Sequence, residues 1–159
     1  MKEIVRVDTS EYKEYACMFN EYLEYLCCGV EPYEENCFQW VLFYQYFSNK
    51  DLRHYFVKED GDICGFISIM VGDDIPEGCD WYIVDTYIRE EYQGKGYGEW
   101  MIEQIQGLYK GTVFLQIKRG NDRAKAFWGK MFAGYEDLRD RYDYLDNDYC
   151  LAYAYRKKF

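Results

Sequence analysis

Residues 81–106 read WYIVDTYIREEYQGKGYGEWMIEQIQ, and this stretch decides the fold of the chain. Its first eight residues are rich in aromatic and β-branched side chains, which favour a strand. After the glycines, apolar residues recur at helical spacing from Tyr97 through Met101 to Ile105. The stretch therefore predicts a strand that runs through a glycine-dense turn straight into a helix.

The glycine-dense turn, residues 93–98, has the properties of an anion site. Glycines at 94, 96 and 98 remove the side chains that would keep a ligand away from the backbone. The first N–H groups of a helix have no partner within the helix, and the helix dipole adds a partial positive charge there. A pyrophosphate is the expected ligand, and an ordinary glycine-rich connection is the alternative.

Two well-known nucleotide-binding motifs do not match this turn. A P-loop requires GxxxxGK followed by Ser or Thr, and no such string occurs in the chain. A Rossmann fingerprint requires a third glycine, where this chain has Glu99, and it belongs to the first strand-helix unit of its fold. The turn lies instead past the middle of the chain, so neither motif explains it.

The remaining periodicity predicts an α/β domain with a mixed sheet, continuous over residues 1–159. The predicted strands are 4–7, 55–58, 63–71, 81–88, 113–118, 135–145 and 149–155. The predicted helices begin after Asp8, around Glu34, at the glycine turn and after Asn121, and the first ends near Gly29. The strand at 113–118 is expected to be parallel to the one at 81–88, because a helix makes the crossover between them.

Composition excludes several classes of protein. The net charge of −10 repels nucleic-acid phosphates. Seven cysteines include no CxxC pair, so neither a disulfide framework nor a zinc site is expected. No apolar stretch is long enough for a membrane span, and the N-terminus has no apolar signal region. We therefore expect a soluble cytoplasmic protein with no metal, no nucleic-acid partner and no membrane contact.

Two motifs, in this order, resemble those of the GNAT acyltransferase superfamily. The first is Q/R-x-x-G-x-G/A between a strand and a helix, and Gln93, Gly96 and Gly98 match it. The second is N-x-x-A-x-x-F-Y, which residues 121–128, NDRAKAFW, resemble. The resemblance implies a mostly antiparallel sheet whose central parallel strands splay to form a cleft for coenzyme A, flanked by about four helices.

The resemblance also implies which residues bind acetyl-CoA, the cosubstrate. Backbone groups at 86–88 would pair with the pantetheine arm, and N–H groups of the turn would hold the pyrophosphate, with Lys95 adding charge. Five basic residues at 118–130 suit a phosphate-rich ligand, although an exposed helix face explains them equally. The expected cofactor-binding residues are Thr86, Tyr87, Ile88, Gln93, Gly94, Lys95, Gly96, Tyr97, Gly98, Asn121, Lys125, Phe127 and Trp128.

In the mechanism that the resemblance implies, an amine attacks the thioester directly. Asp85 is the expected proton acceptor; the alternative is a strand residue that faces solvent or pairs with a neighbouring cation. The family's usual proton donor to the thiolate is the tyrosine of the F-Y pair, where this chain has Trp128, whose indole does not release a proton. Tyr135 or Tyr142 is the expected substitute, or the thiolate leaves unprotonated or through water.

The expected activity is transfer of acetyl from acetyl-CoA to a primary amine, either of a small cationic molecule or of a protein. Seven glutamates within residues 11–35 favour a cationic acceptor, although a solvated helix face would carry them too. The alternatives are an acyl-CoA-binding sensor without turnover and an interaction domain. Exposed aromatics near 142–155 would suit a homodimer contact. His54 and the Cys27-Cys28 pair are expected to be structural rather than catalytic.

Overall fold

A computed structural model of the chain describes residues 1–27, 40–138 and 150–157. Its strands are β1 (Lys2–Arg6), β2 (Leu52–Glu59), β3 (Asp62–Met70), β4 (Trp81–Ile88), β5 (Thr112–Lys118), β6 (Tyr135–Asp137) and β7 (Cys150–Lys157). Its helices are α1 (Tyr12–Cys27), α2 (Trp40–Phe47), α3 (Tyr97–Leu108) and α4 (Asp122–Met131). A short 3₁₀ turn before α1 begins with a capping box in which Asp8 is the N-cap.

The strands form one seven-stranded sheet in the order β1-β2-β3-β4-β5-β7-β6. Every neighbouring pair is antiparallel except β4 and β5, which run parallel because α3 makes the crossover between them. The predicted mixed α/β sheet with one central parallel pair is therefore confirmed.

The parallel pair separates after a short contact. Pairing between β4 and β5 covers only 81–83 against 113–115, although both strands continue beyond those residues. The rest of β4 remains paired with β3, and the rest of β5 remains paired with β7. A V-shaped fork therefore opens between β4 and β5 toward their C-terminal ends, and the glycine turn follows at the end of β4.

A β-bulge in β4 decides which side chains face each side of the sheet. Ser68 pairs with Asp85 while the next residue, Ile69, pairs with Ile83, so Val84 is an extra residue without a partner of its own. Ile83 packs in the core beneath α3, whereas Asp85 faces α1 and α2. Without the bulge, alternation along the strand would place both side chains on one face.

The two largest apolar cores lie on opposite faces of the sheet. The larger core packs α3 and α4 against β2 to β5 and β7, and it includes Met101, Ile105 and Trp128. The second packs α1 and α2 against β2 to β4 and is mostly aromatic, with Tyr15, Phe43 and Phe66 among its buried residues. Because both faces are covered, the sheet is buried on both sides near its centre.

The predicted element order agrees with the structure; most strand bounds differ by one to three residues, and two of the differences bear on the site. β2 begins at Leu52 rather than at residue 55, so His54 lies inside the strand and not before it. β6 ends at Asp137. Several predicted features lie outside the described residues: strand residues 139–145 with Tyr142, the turn at 146–148 and the start of the second helix.

None of the helices within the described ranges combines the length and apolarity needed to cross a membrane.

Candidate functional site

The glycine turn presents unpartnered backbone amides at the head of α3. Gly94 and Gly96 have φ angles of 71° and 80°, which residues with side chains rarely adopt. Gly96 is the N-cap of α3 without a side-chain cap, and none of the described residues accepts a hydrogen bond from the amides of 94–96. A Cβ built at either glycine would meet no atom within 4 Å. The turn therefore faces open space with free donors, as a phosphate site requires.

Gly98 has a packing role that the motif did not indicate. It lies in the first turn of α3, and a Cβ there would stand 3.1 and 3.2 Å from two ring carbons of Phe127 in α4. The absence of a side chain thus lets α3 and α4 approach each other closely. Both motifs of the resemblance consequently meet at this contact, beside the mouth of the fork.

The other residues of the turn fasten it to the rest of the fold. Gln93 donates from Nε2 to the Ile88 carbonyl at 2.7 Å and accepts from Arg123 at 3.0 Å, so it links the end of β4 to α4. The Tyr97 hydroxyl donates to Glu59 of β2, so the Tyr97 side chain points toward β2. Only the backbone amide of Tyr97 is left to donate to a ligand in the turn. The Lys95 ammonium lies 6.0 Å from the centre of the Tyr92 ring.

The three predicted pantetheine-binding residues do not face the fork equally. The amide of Arg89 donates to the Cys64 carbonyl of β3 at 2.9 Å, and backbone groups alternate in direction along a strand. Thr86 and Ile88 therefore direct their backbone polar groups toward the fork, whereas those of Tyr87 face β3. The Ile88 carbonyl already accepts from Gln93, so Thr86 offers the most accessible backbone groups of the three.

The α4 residues divide between two flanks of that helix. Asn121 caps α4 by accepting from the Ala124 amide at 3.1 Å. Phe127 faces α3, whereas Lys125 lines a cavity of about 320 Å³ on the other flank, between α4 and strands β5 to β7. Trp128 is only 5% exposed, stacks on Phe132 and borders the same cavity. Direct ligand contacts of Asn121, Lys125 and Trp128 remain predictions.

The structure does not bring the predicted proton donor Tyr135 to the fork. Tyr135 lies on β6, three strands from β4 in the sheet, which corresponds to roughly 14 Å at the usual strand spacing. Tyr135 pairs with Lys157 of β7, and the preceding residue of β7, Arg156, pairs with Thr112, the first residue of β5. Tyr135 therefore lies level with the N-terminal end of β5, whereas the fork opens at the C-terminal end. Burial raises its pKa, so it is also a weaker proton donor than an exposed tyrosine.

Asp85 lies at the base of the fork with two hydrogen-bond donors. Tyr22 of α1 donates to Oδ1 at 2.9 Å, and Tyr46 of α2 donates to Oδ2 at 2.7 Å. Burial raises the pKa of Asp85, and the two hydrogen bonds oppose that rise. A carboxylate with a raised pKa just past the last β4–β5 pair is suited to accepting a proton from a group in the fork.

Tyr22 and Tyr46 are site residues that the sequence analysis missed. The chain has 19 tyrosines, and no motif in the sequence distinguishes these two from the others. Burial and the Asp85 carboxylate raise the pKa of both hydroxyls well above the usual value, so both remain protonated donors. Only the bulge at Val84, which turns Asp85 toward the helices, creates the partnership.

A serine, a histidine and an aspartate meet across the sheet without forming a hydrolase triad. His54 Nδ1 lies 2.8 Å from the Ser68 hydroxyl, and Ser68 is the strand neighbour of Asp85. Ser68, however, is 0% exposed, and the second His54 nitrogen contacts the Phe47 carbonyl instead of a carboxylate. A nucleophile needs access to substrate, so the structural interpretation of His54 agrees with this arrangement.

The acidic N-terminal region is less available to a cationic acceptor than its glutamates indicated. Glu21 receives two hydrogen bonds from Arg89, at 2.8 and 2.6 Å, in a bidentate ion pair. Glu11 closes the capping box before α1 and contacts Lys58 at 3.2 Å. Both carboxylates are therefore engaged in holding α1 against the sheet.

Comparison with known proteins agrees with this geometry. A model of the acetyltransferase (GNAT) family matches residues 15–135, which include the glycine turn, the fork and α4. The chain belongs to the acetyltransferase (GNAT) family. Since the match includes both sequence motifs, the resemblance seen in the sequence is confirmed. A comparison with curated protein sequences finds no match to this chain.

Solved structures share the fold at low sequence identity. An acetyltransferase from Thermus thermophilus has a TM-score of 0.74 and 16% identity, with 97% of this chain and 96% of that chain covered. PaiA N-acetyltransferase from Thermoplasma acidophilum, in complex with coenzyme A, has a TM-score of 0.72 and 16% identity, with coverage of 100% and 99%. AAC(6')-Iy, in complex with a bisubstrate analogue, has a TM-score of 0.61 and 11% identity over 82% of this chain and 89% of that chain. At such identities the likeness establishes the GNAT fold alone.

Proposed function

We propose that this GNAT protein transfers acetyl from acetyl-CoA to a primary amine by direct attack of the amine on the thioester. The observation that carries the proposal is the β4–β5 fork, which has free amides at its mouth and a hydrogen-bonded carboxylate at its base. One end suits a pyrophosphate and the other suits an ammonium group. A coenzyme A complex of a protein with the same fold supports the choice of cosubstrate.

The residues at the mouth of the fork fit acetyl-CoA, which would supply the activated acetyl group. Amides of residues 94–98 would hold the pyrophosphate, because they precede or begin α3 and lack acceptors within the described part of the chain. Backbone groups of Thr86 would bind the pantetheine arm, because that part of β4 has left β5. Arg123, which donates to Gln93 of the turn at 3.0 Å, adds positive charge nearby.

Asp85 would take the proton that an ammonium must lose before it attacks. Its raised pKa makes it a better proton acceptor than an exposed carboxylate, and Tyr22 and Tyr46 hold its two oxygens in place. An unprotonated Asp85 also attracts a cationic acceptor. Because Glu21 and Glu11 are already paired, we infer an acceptor that presents one ammonium group to the fork, on a small molecule or a protein.

Cosubstrate binding is tested with Gly96→Val and its matched control Gly61→Val. Both glycines have positive φ, 80° and 92°, and open space around them, so valine brings similar backbone strain at either position. Only Gly96 lies in the proposed phosphate cradle, which consists of the backbone amides of residues 94–98. Calorimetry is expected to show at least a tenfold loss of coenzyme A affinity for Gly96→Val and none for Gly61→Val. Equal affinities in the two variants would contradict the cradle.

Turnover is tested by mixing the protein with acetyl-CoA and a panel of amines while free thiol is measured. The expected result is amine-dependent thiol release that Asp85→Asn lowers by roughly 10²- to 10⁴-fold, the usual contribution of a general base. Coenzyme A affinity should be unchanged in this variant, because Asp85 lies at the opposite end of the fork from the cradle. A variant with full turnover would refute the role of Asp85.

The second candidate function is a sensor that binds acyl-CoA without turnover. The observation that favours it is Trp128, a buried indole at the position where the family motif has a tyrosine, together with the distance of Tyr135 from the fork. Tight coenzyme A binding with no thiol release from any amine would favour the sensor over the transferase.

A further inference from the structure

A ladder of three polar side chains crosses the sheet beneath α1 and α2. His54 on β2 pairs with Ser68 on β3, and Ser68 pairs with Asp85 on β4, so the three residues share one face. His54 and Ser68 are 4% and 0% exposed. The Ser68 hydroxyl lies 2.8 Å from His54 Nδ1 and 2.6 Å from the Tyr15 hydroxyl. Buried polar groups so closely connected constrain one another's orientation.

The direction of these hydrogen bonds follows from their last partner. His54 Nε2 lies 3.1 Å from the Phe47 carbonyl, which only accepts, so Nε2 carries the proton. Burial lowers the pKa of His54 to about 4, so the ring is neutral near pH 7 and Nδ1 is an acceptor. Ser68 therefore donates to His54, and Tyr15 donates to Ser68. In the hydrogen-bonded series Tyr15–Ser68–His54, each hydroxyl has one proton and donates it to the next member, in the direction of His54.

The hydrogen-bonded series Tyr15–Ser68–His54 lies next to the Asp85 site at the hydroxyl of Tyr46. Tyr46 donates to Asp85, the centre of its ring lies 5.4 Å from that of His54, and Ser68 lies opposite Asp85 in the pairing of β3 with β4. Burial and the Asp85 charge raise the pKa of Tyr15, and hydrogen bonding with Ser68 and Tyr46 opposes that rise. Within the described residues, the titratable and polar groups around Asp85 are Tyr22 of α1, Tyr46 of α2, Ser68 of β3 and, through Ser68, Tyr15 of α1 and His54 of β2.

We propose that His54 and Ser68 are positioning residues that turn the Tyr15 hydroxyl away from Tyr46 and so keep Asp85 a strong proton acceptor. With its proton committed to Ser68, Tyr15 cannot donate to the Tyr46 oxygen. Such a bond would polarise Tyr46 and strengthen its donation to the carboxylate, since hydrogen bonds in a chain reinforce one another. A carboxylate stabilised in that way would be a weaker base.

The inference rests on the proposed role of Asp85 and makes an opposite prediction for two neighbouring variants. Ser68→Ala releases the Tyr15 proton toward Tyr46, so the Asp85 carboxyl should titrate at lower pH, by roughly half a unit to one unit. Tyr46→Phe removes a donor, so the same carboxyl should titrate at higher pH by a similar amount. A merely structural disturbance would not move the titration in opposite directions.

The measurement is NMR spectroscopy of isotope-labelled aspartate carboxyl carbons across a pH titration, with Asp85→Asn used to assign the signal. His54→Phe is a second way to break the chain and should shift the titration downward, as Ser68→Ala does. The control is Tyr55→Phe, which removes a hydroxyl bonded to Tyr109 at 2.8 Å, away from the chain, and should leave the titration unchanged.

An upward or absent shift in both Ser68→Ala and His54→Phe would overturn the proposal. The NMR titration needs no turnover, so it separates this inference from the proposed function. Opposite shifts in a protein without acetyl transfer would uphold the positioning chain and refute the transferase. In a protein that does turn over, the acidic limb of the pH dependence of kcat/KM should move with the titration.

Discussion

Acidification is expected to destabilise the protein through His54. Burial lowers the pKa of His54 from 6.5 to about 4, and it is the one histidine of the chain. As the pH falls below 6.5, the unfolded state takes up a proton that the folded state does not. The stability that this residue contributes is therefore complete above pH 6.5 and is lost as the pH falls toward about 4.

The magnitude follows from the two pKa values. Between about pH 7.5 and about pH 5, the unfolded state binds nearly one proton more, which costs about 2 kcal/mol of unfolding free energy. The pKa of Asp85 is raised, so Asp85 contributes the opposite slope: its stabilisation is present at low pH and is lost as the pH rises. The His54 contribution must therefore be isolated by comparison with a variant that retains Asp85.

His54→Gln provides that comparison, because glutamine stays neutral, has an acceptor oxygen for Ser68 and an N–H donor for the Phe47 carbonyl, and leaves the other titrating groups in place. Urea unfolding of both proteins, at the two pH values and one ionic strength, gives the four free energies. The variant is expected to be less stable at neutral pH, since it disturbs buried hydrogen bonds, but to lose about 2 kcal/mol less on acidification. Equal losses in the two proteins would refute the neutral, buried state of His54.

Further predictions concern stability and are checked by urea unfolding at neutral pH. Gly65→Ala should cost about 3 kcal/mol or more, because its Cβ would overlap the Tyr87 carbonyl oxygen of β4. Gly107→Ala, exposed in α3 with open space around it, should instead stabilise by about 0.5 to 1 kcal/mol. Arg89→Met breaks a bidentate pair and a bond to a β3 carbonyl and should cost about 2 kcal/mol. Lys130→Met loses only an exposed ion pair and should cost less than about 1 kcal/mol, so similar costs for these two variants would contradict the contrast.

The sequence predicted those features that depend on residues close together in the chain. The glycine turn, the helix after it and the Asn121 cap are decided within a few residues, because backbone conformation and helix capping are local. The alternation of strand residues predicted the sheet, and the crossover helix predicted the parallel pair. For the same reason the sequence limits the proposed phosphate site to six residues, 93–98.

Contacts across the sheet could not be predicted from local sequence patterns. The bulge at Val84 shifts the register of β4 by one residue, and this reverses the face on which Asp85 lies. No local pattern in residues 81–88 indicates the bulge, because it depends on the pairing with β3. The donors Tyr22 and Tyr46 come from separate helices, and among many tyrosines only packing selects them.

The amino-acid sequence by itself determined the order of the elements, the family and the position of the glycine turn proposed to bind phosphate, since these depend on local backbone preferences and on short motifs. Only the tertiary structure decided where the fork opens, which helix residues hold Asp85 and why Tyr135 is far from it. These features depend on strand register and sheet order, which bring together residues far apart in the chain. A one-residue change of register leaves the local pattern intact and moves a side chain to the other side of the protein.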